Sequence, residues 1–130
     1  MTGLLEFTPL NPVEDMIVSA RKGDVGRDAL VEALGASDLF VSSRQEVLAD
    51  GSGFEPLLLG EASAPLVAAF TAPERPAIHR SRAEYMVQMK GDDLLARMPP
   101  GYGVVVNPGY VDQLIISAGA IEDLRKQPRK

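Results

Sequence analysis

The sequence predicts an α+β (mixed α/β) fold: a single mixed β-sheet with an N-terminal helical hairpin and further short helices packed on it. Three observations carry that prediction. Apolar residues follow helical spacing at first, and the period changes at Ser37. Val104-Val105-Val106 stands between Pro100-Gly101 and Asn107-Pro108-Gly109, the form of a short strand buried on both faces. Helices and strands are interspersed and several strands are tied by hairpin-length loops, which favours a mixed sheet over a doubly wound parallel one.

Asn11-Pro12-Val13-Glu14 opens the first helix: Asn11 caps it, Pro12 fits its first position and Glu14 reaches back as in a capping box. Val13, Met16, Ile17 and Ala20 share one face, Gly23 stops the helix, and Phe7 or Leu10 packs onto its first turn. Asp24 is expected to cap a second helix containing Leu30, Val31, Ala33 and Leu34, with Gly35 ending it in the left-handed conformation. The short loop between the helices makes them a hairpin. Leu39-Phe40-Val41 reads as strand, with an extended course through Val47 and Leu48 to the turn Asp50-Gly51-Ser52-Gly53. Leu57-Leu58-Leu59 follows, and Pro65 to Thr71 is the central strand. Thr71 and Glu74 are expected to bond reciprocally at the start of a helix that Pro76 keeps short or irregular. Tyr85–Met89 reads as strand and Gly91–Met98 as a compact helix with acids at its positive end, stopped by Pro99. After the valine strand, Asp112–Ile116 is a last strand, and Ser117 caps a terminal helix burying Ile121 and Leu124.

At 130 residues the chain fits one domain, with its core over about 11–124 and a basic tail at 125–130 that reads as a solvated end. With no cysteine it has no disulfide, thiolate nucleophile or cysteine-ligated zinc, a composition that fits the cytoplasm. The net charge of −5 argues against nucleic-acid binding, which needs Lys and Arg to displace counterions. Met1–Phe7 lacks the pattern of a signal peptide, and no apolar run reaches the ~18 residues of a membrane span, so no membrane insertion is expected.

No catalytic set emerges. His79, the single histidine, lies in the polar run His79-Arg80-Ser81-Arg82 and reads as a surface residue. One histidine without cysteine gives no transition-metal set, and Asp50-Gly51-Ser52-Gly53 with Glu55 lacks calcium-loop spacing, so no metal or cofactor is expected. Gly101-Tyr102-Gly103 precedes a strand, whereas phosphate-binding glycines follow one. Asp92-Asp93 reads as a helix-start acid pair rather than a hydrolytic one. Two places remain for a ligand: Thr71, Glu74 and Arg75 after the central strand, where amides and Arg75 suit an anion, and Asn107 to Gly109 at the end of the valine strand. If both strands run the same way these turns are neighbours; the alternative is that they are structural caps and turns.

The ordered series of Asn11–Glu14, Leu39–Val41, the loop with Asp50-Gly51, Leu57–Gly60, Phe70–Glu74, Gly91–Leu95 and Gly103–Gly109 resembles the SseB N-terminal domain family, over nearly the whole chain from about Asn11 to Leu124. The resemblance implies a bacterial domain named for an enhanced serine-sensitivity phenotype rather than for a reaction. It supplies no catalytic residues and implies the N-terminal module without the further domain of longer members. The leading expectation is a non-enzymatic, cytoplasmic protein-interaction module that pairs with a protein partner or with itself as a homodimer. The alternative is a sensor of a small molecule or anion, possibly an amino acid, at Thr71–Arg75 and Asn107–Gly109.

Overall fold

The computed structural model describes residues 4–126, with side chains described as far as Leu124. Helix α1 (Pro12–Arg21) starts as its sequence dictates: Asn11 accepts a hydrogen bond from the Glu14 amide at 3.0 Å, and Pro12 sits in the first turn. The expected capping box is not closed on the Asn11 amide: Glu14 accepts instead from the amide of Leu10, one residue before the cap, at 2.8 Å. Phe7 is the buried residue of the pair preceding the helix, and Leu10 is exposed. Gly23, at φ 87°, donates to Ala20, and Asp24 donates to Ser19, a Schellman ending.

Two expectations about the second helix are corrected. Asp24 closes α1 through its backbone and does not cap α2 (Arg27–Ala36), which starts after Gly26 without a side-chain cap. Gly35 lies inside α2, whose last residue is Ala36, and its role is close approach. A Cβ on Gly35 would overlap the Asp92 carboxylate, and one on Gly91 the Leu34 carbonyl. These glycines let the end of α2 meet the start of helix α3 (Gly91–Arg97).

The sheet has six strands: β1 (Asp38–Ser43), β2 (Leu58–Glu61), β3 (Ala64–Phe70), β4 (Tyr85–Lys90), β5 (Gly103–Val106) and β6 (Leu114–Ile116). Its order is β4-β1-β3-β5-β6, with β2 also on β3. Neighbours are antiparallel except β3 and β5, which run parallel with Leu66 opposite Gly103 and Ala69 opposite Val106. The expected α+β fold with one mixed sheet is the observed one. Because β5 fills one edge of β3, β1 and β2 share the other: Phe40 and Val41 pair Phe70 and Ala69, and Leu58–Glu61 pairs Val67–Ala64. Between them the Leu57 amide donates to Ser42 and the Leu57 carbonyl accepts from Ala68, so residues 44–56 are an excursion inserted into one composite strand.

The helices cover one face. Leu39, Val41, Val67, Ala69, Val104 and Val106 meet Ile17, Leu30, Leu34, Leu94 and Ile121 there. On the other face Phe70, Ala68 and Val105 pack with Leu57 and Ala83. All four β5 residues are buried, as the valine run requires of a strand covered on both sides. Each such Val or Leu contributes about 1.5–3 kcal/mol by leaving water. Ser117 caps helix α4 (Ala118–Lys126) by accepting from the Ala120 amide at 3.1 Å; Ile121 is buried and Leu124 half-buried. Beyond the backbone of its first two residues, the basic stretch 125–130 lies outside the described residues. No helix among the described residues is long and apolar enough to cross a membrane.

Candidate functional site

Because β3 and β5 are parallel neighbours, their C-terminal ends deliver Thr71 and Asn107 side by side. Asn107 takes φ 56°, the left-handed region that Asn tolerates better than most residues. Its amide donates to Ala69 at 2.8 Å, its Oδ1 accepts from the Thr71 amide at 3.1 Å, and its Nδ2 donates to Thr71 Oγ1 at 2.9 Å. Asn11 donates to the Thr71 carbonyl at 2.8 Å, tying the start of α1 to the same point.

The Thr71 hydroxyl donates to Glu14 Oε2. It does not form the expected reciprocal cap with Glu74, which is exposed and precedes a 3₁₀ turn (Arg75–His79) lacking any side-chain cap. The long-range carboxylate outcompetes the local amide because Thr71 is buried directly against it.

Arg75 is buried on Glu14 in a two-pronged ion pair, Nη2 to Oε1 at 2.6 Å and Nε to Oε2 at 3.0 Å. Nη2 also donates to the Thr8 carbonyl at 2.7 Å. The guanidinium carbon lies 4.2 Å from the Phe7 ring centre and 4.8 Å from that of Tyr110, so the cation rests against two aromatic rings. Both Glu14 oxygens accept two hydrogen bonds, counting Leu10 and Thr71, which satisfies a carboxylate that is wholly buried. Burial pushes the Glu14 carboxyl up, but the hydrogen bonds from Arg75, Thr71 and Leu10 and the Arg75 charge outweigh it, holding its pKa below the ordinary value. The hydrogen bond to Glu14 in turn raises Arg75 above its ordinary value.

Of the five residues the sequence singled out, Thr71, Arg75 and Asn107 come together and Glu74 does not join them. Gly109, at φ 92°, lies one step away, its amide donating to Gln113 and its carbonyl accepting from Leu5. Arg75 does hold an anion, and that anion is Glu14 of its own chain. Sequence reasoning missed Glu14, Phe7 and Tyr110 as its surroundings. The one available signal was an arginine between Glu74 and Pro76 beside an apolar strand, a cation placed where only a partner makes burial tolerable.

His79 is not the free surface residue expected. It is half-buried, packs against Phe70 at 5.8 Å between ring centres, and its Nε2 lies 2.9 Å from the Pro108 carbonyl. A carbonyl only accepts, so Nε2 carries the proton. Asp92 lies on the other face of the sheet, by Gly35 of α2. Two surface hollows lie elsewhere. One of about 290 Å³ is lined by Asp112, Arg21, Arg27, Ile17 and Leu30, with the buried Asp112 carboxylate 3.0 Å from Arg21. The other, about 330 Å³, runs over Pro65, Leu66 and Ile115.

Compared with known proteins, the chain matches no family model, no curated protein and no solved structure. The resemblance to the SseB N-terminal domain therefore stands on its ordered motifs alone.

Proposed function

We propose that this chain is a non-enzymatic binding module of the bacterial cytoplasm, of the SseB N-terminal kind, that engages protein partners at an open strand edge. The observation that carries the reading is β4. Among the described residues it is paired only on its β1 side, and its Tyr85 and Met86 are 42% and 44% exposed. An extended segment can add to such an edge through backbone hydrogen bonds, with alternate side chains giving selectivity. The ionisable residues at the strand ends support the same reading, because Glu14 and Arg75 are engaged with each other.

Selection of extended peptides on the full chain, followed by amide hydrogen exchange, tests it. Bound peptides are expected to protect the outward amides of Tyr85–Lys90. Protection confined to other surfaces refutes it.

A second reading, a sensor of small zwitterions such as amino acids, is favoured by the Asp112 hollow, where a carboxylate and two guanidiniums border an apolar floor. An amino-acid screen by thermal shift decides it: no shift at millimolar ligand removes this reading.

A further inference from the structure

We propose that the partner at β4 is a second copy of this chain, joined antiparallel about a two-fold axis at Val87 so that one sheet runs through both. The proposal rests on the strand-edge reading and names the occupant of that edge. β4 pairs with β1 residue by residue from Tyr85 to Lys90, and its outer edge has no strand partner among the described residues. Edge strands are normally blunted by proline, a bulge or a central charge. Tyr85-Met86-Val87-Gln88-Met89 contains none of these. By contrast β6 spans three residues, and β2 carries Gly60 at φ 81°.

Charge selects the register. A two-fold axis normal to the sheet reverses strand direction and keeps the helix-bearing face on one side, so opposed residues belong to the same face. Centred on Val87, the pairing sets Glu84 against the second copy's Lys90, Tyr85 against Met89, Met86 against Gln88 and Val87 against itself. Moving the axis to Met86 sets Glu84 against Gln88, and moving it to Gln88 sets Lys90 against Met86. Of the three registers, the central one alone sets these two opposite charges against each other. Lys90 already pairs with Asp38 of its own chain at 3.1 Å while its side chain stays 56% exposed. The second copy's Glu84 would complete a row of acid, base and acid across the joint. Tyr85 and Met86 would leave water, and the Met89 sulfur would meet a tyrosine ring.

Sedimentation of the full chain over a concentration series tests this, with circular dichroism confirming that each variant is folded. The wild-type chain is expected to dimerise. Glu84→Lys and Lys90→Glu should each weaken the dimer by about tenfold or more, since each turns two attractive cross-strand pairs into repulsive ones. Mixing the two variants should restore a dimer, because both pairs become attractive in the heterodimer. A wild-type chain that stays monomeric into the millimolar range overturns the proposal, as does a dimer indifferent to both substitutions. If the chain is monomeric while selected peptides still protect β4, the second-copy proposal falls and the strand-edge reading survives. If neither binds, both fall.

Discussion

Replacing Arg75 by methionine leaves the buried Glu14 carboxylate facing only Thr71 and the Leu10 amide. With side-chain exposures of 7% and 0%, neither partner of the ion pair has water to fall back on. Removing one member of such a pair costs about 3–5 kcal/mol, chiefly the uncompensated charge of the other. A domain of this kind has about 5–15 kcal/mol in total, and its midpoint should drop by roughly 10–20 °C. Glu14→Leu combined with Arg75→Met should cost well below the sum of the single changes, because no orphaned charge remains. Urea unfolding at neutral pH measures all three. Arg75→Met within about 1 kcal/mol of wild type, at unchanged urea dependence, would refute the reasoning. Acid gives an independent check. The Glu14 pKa in the folded state lies below the 4.5 of the free group, so its stabilisation is complete above that pH and is lost as pH falls through the folded value. Glu14→Gln should therefore flatten the acid limb of the stability profile.

Asn107→Gly keeps the left-handed backbone but strips the buried Thr71 amide of its acceptor, for an expected loss of about 1–3 kcal/mol in chemical denaturation. Asn107→Val should lose more, since a β-branched residue also resists φ 56°. Gly91→Ala forces a methyl into the Leu34 carbonyl and should cost about 1–3 kcal/mol or shift α3, seen as loss of thermal stability. Asn11→Ala removes both the helix cap and the bond to Thr71, for a loss of about 1–2 kcal/mol by the same measurement.

What the sequence disclosed was local. The Asn11 cap, the Gly23 stop, the valine strand and the Ser117 cap each rest on residues within five positions of one another, and each is found where the pattern places it. The parallel run of β3 and β5 follows from interspersed elements only as a condition, and the structure meets it. Two of the misreadings share a cause: Thr71 and Gly35 carry strong local signals, but their partners, Glu14 and Asp92, each lie 57 residues away in sequence. The third is local, because the Asp24 amide is taken up by Ser19 in ending α1. Glu14 was legible as a cap and illegible as the counter-ion of Arg75, 61 residues on. A one-dimensional pattern states that a group needs a partner, and only the folded chain says which.

The excursion at residues 44–56 has a bearing on how this protein can diverge. Its two ends are pinned where Leu57 takes over from Ser42 against Ala68, so the ladder on either side is already closed without it. Phe54 packs on the helix-side core, so the freedom lies at the exposed tip, residues 48–52. That tip is where lineages can acquire new surface at little risk to the scaffold, and where a tag or a foreign epitope belongs.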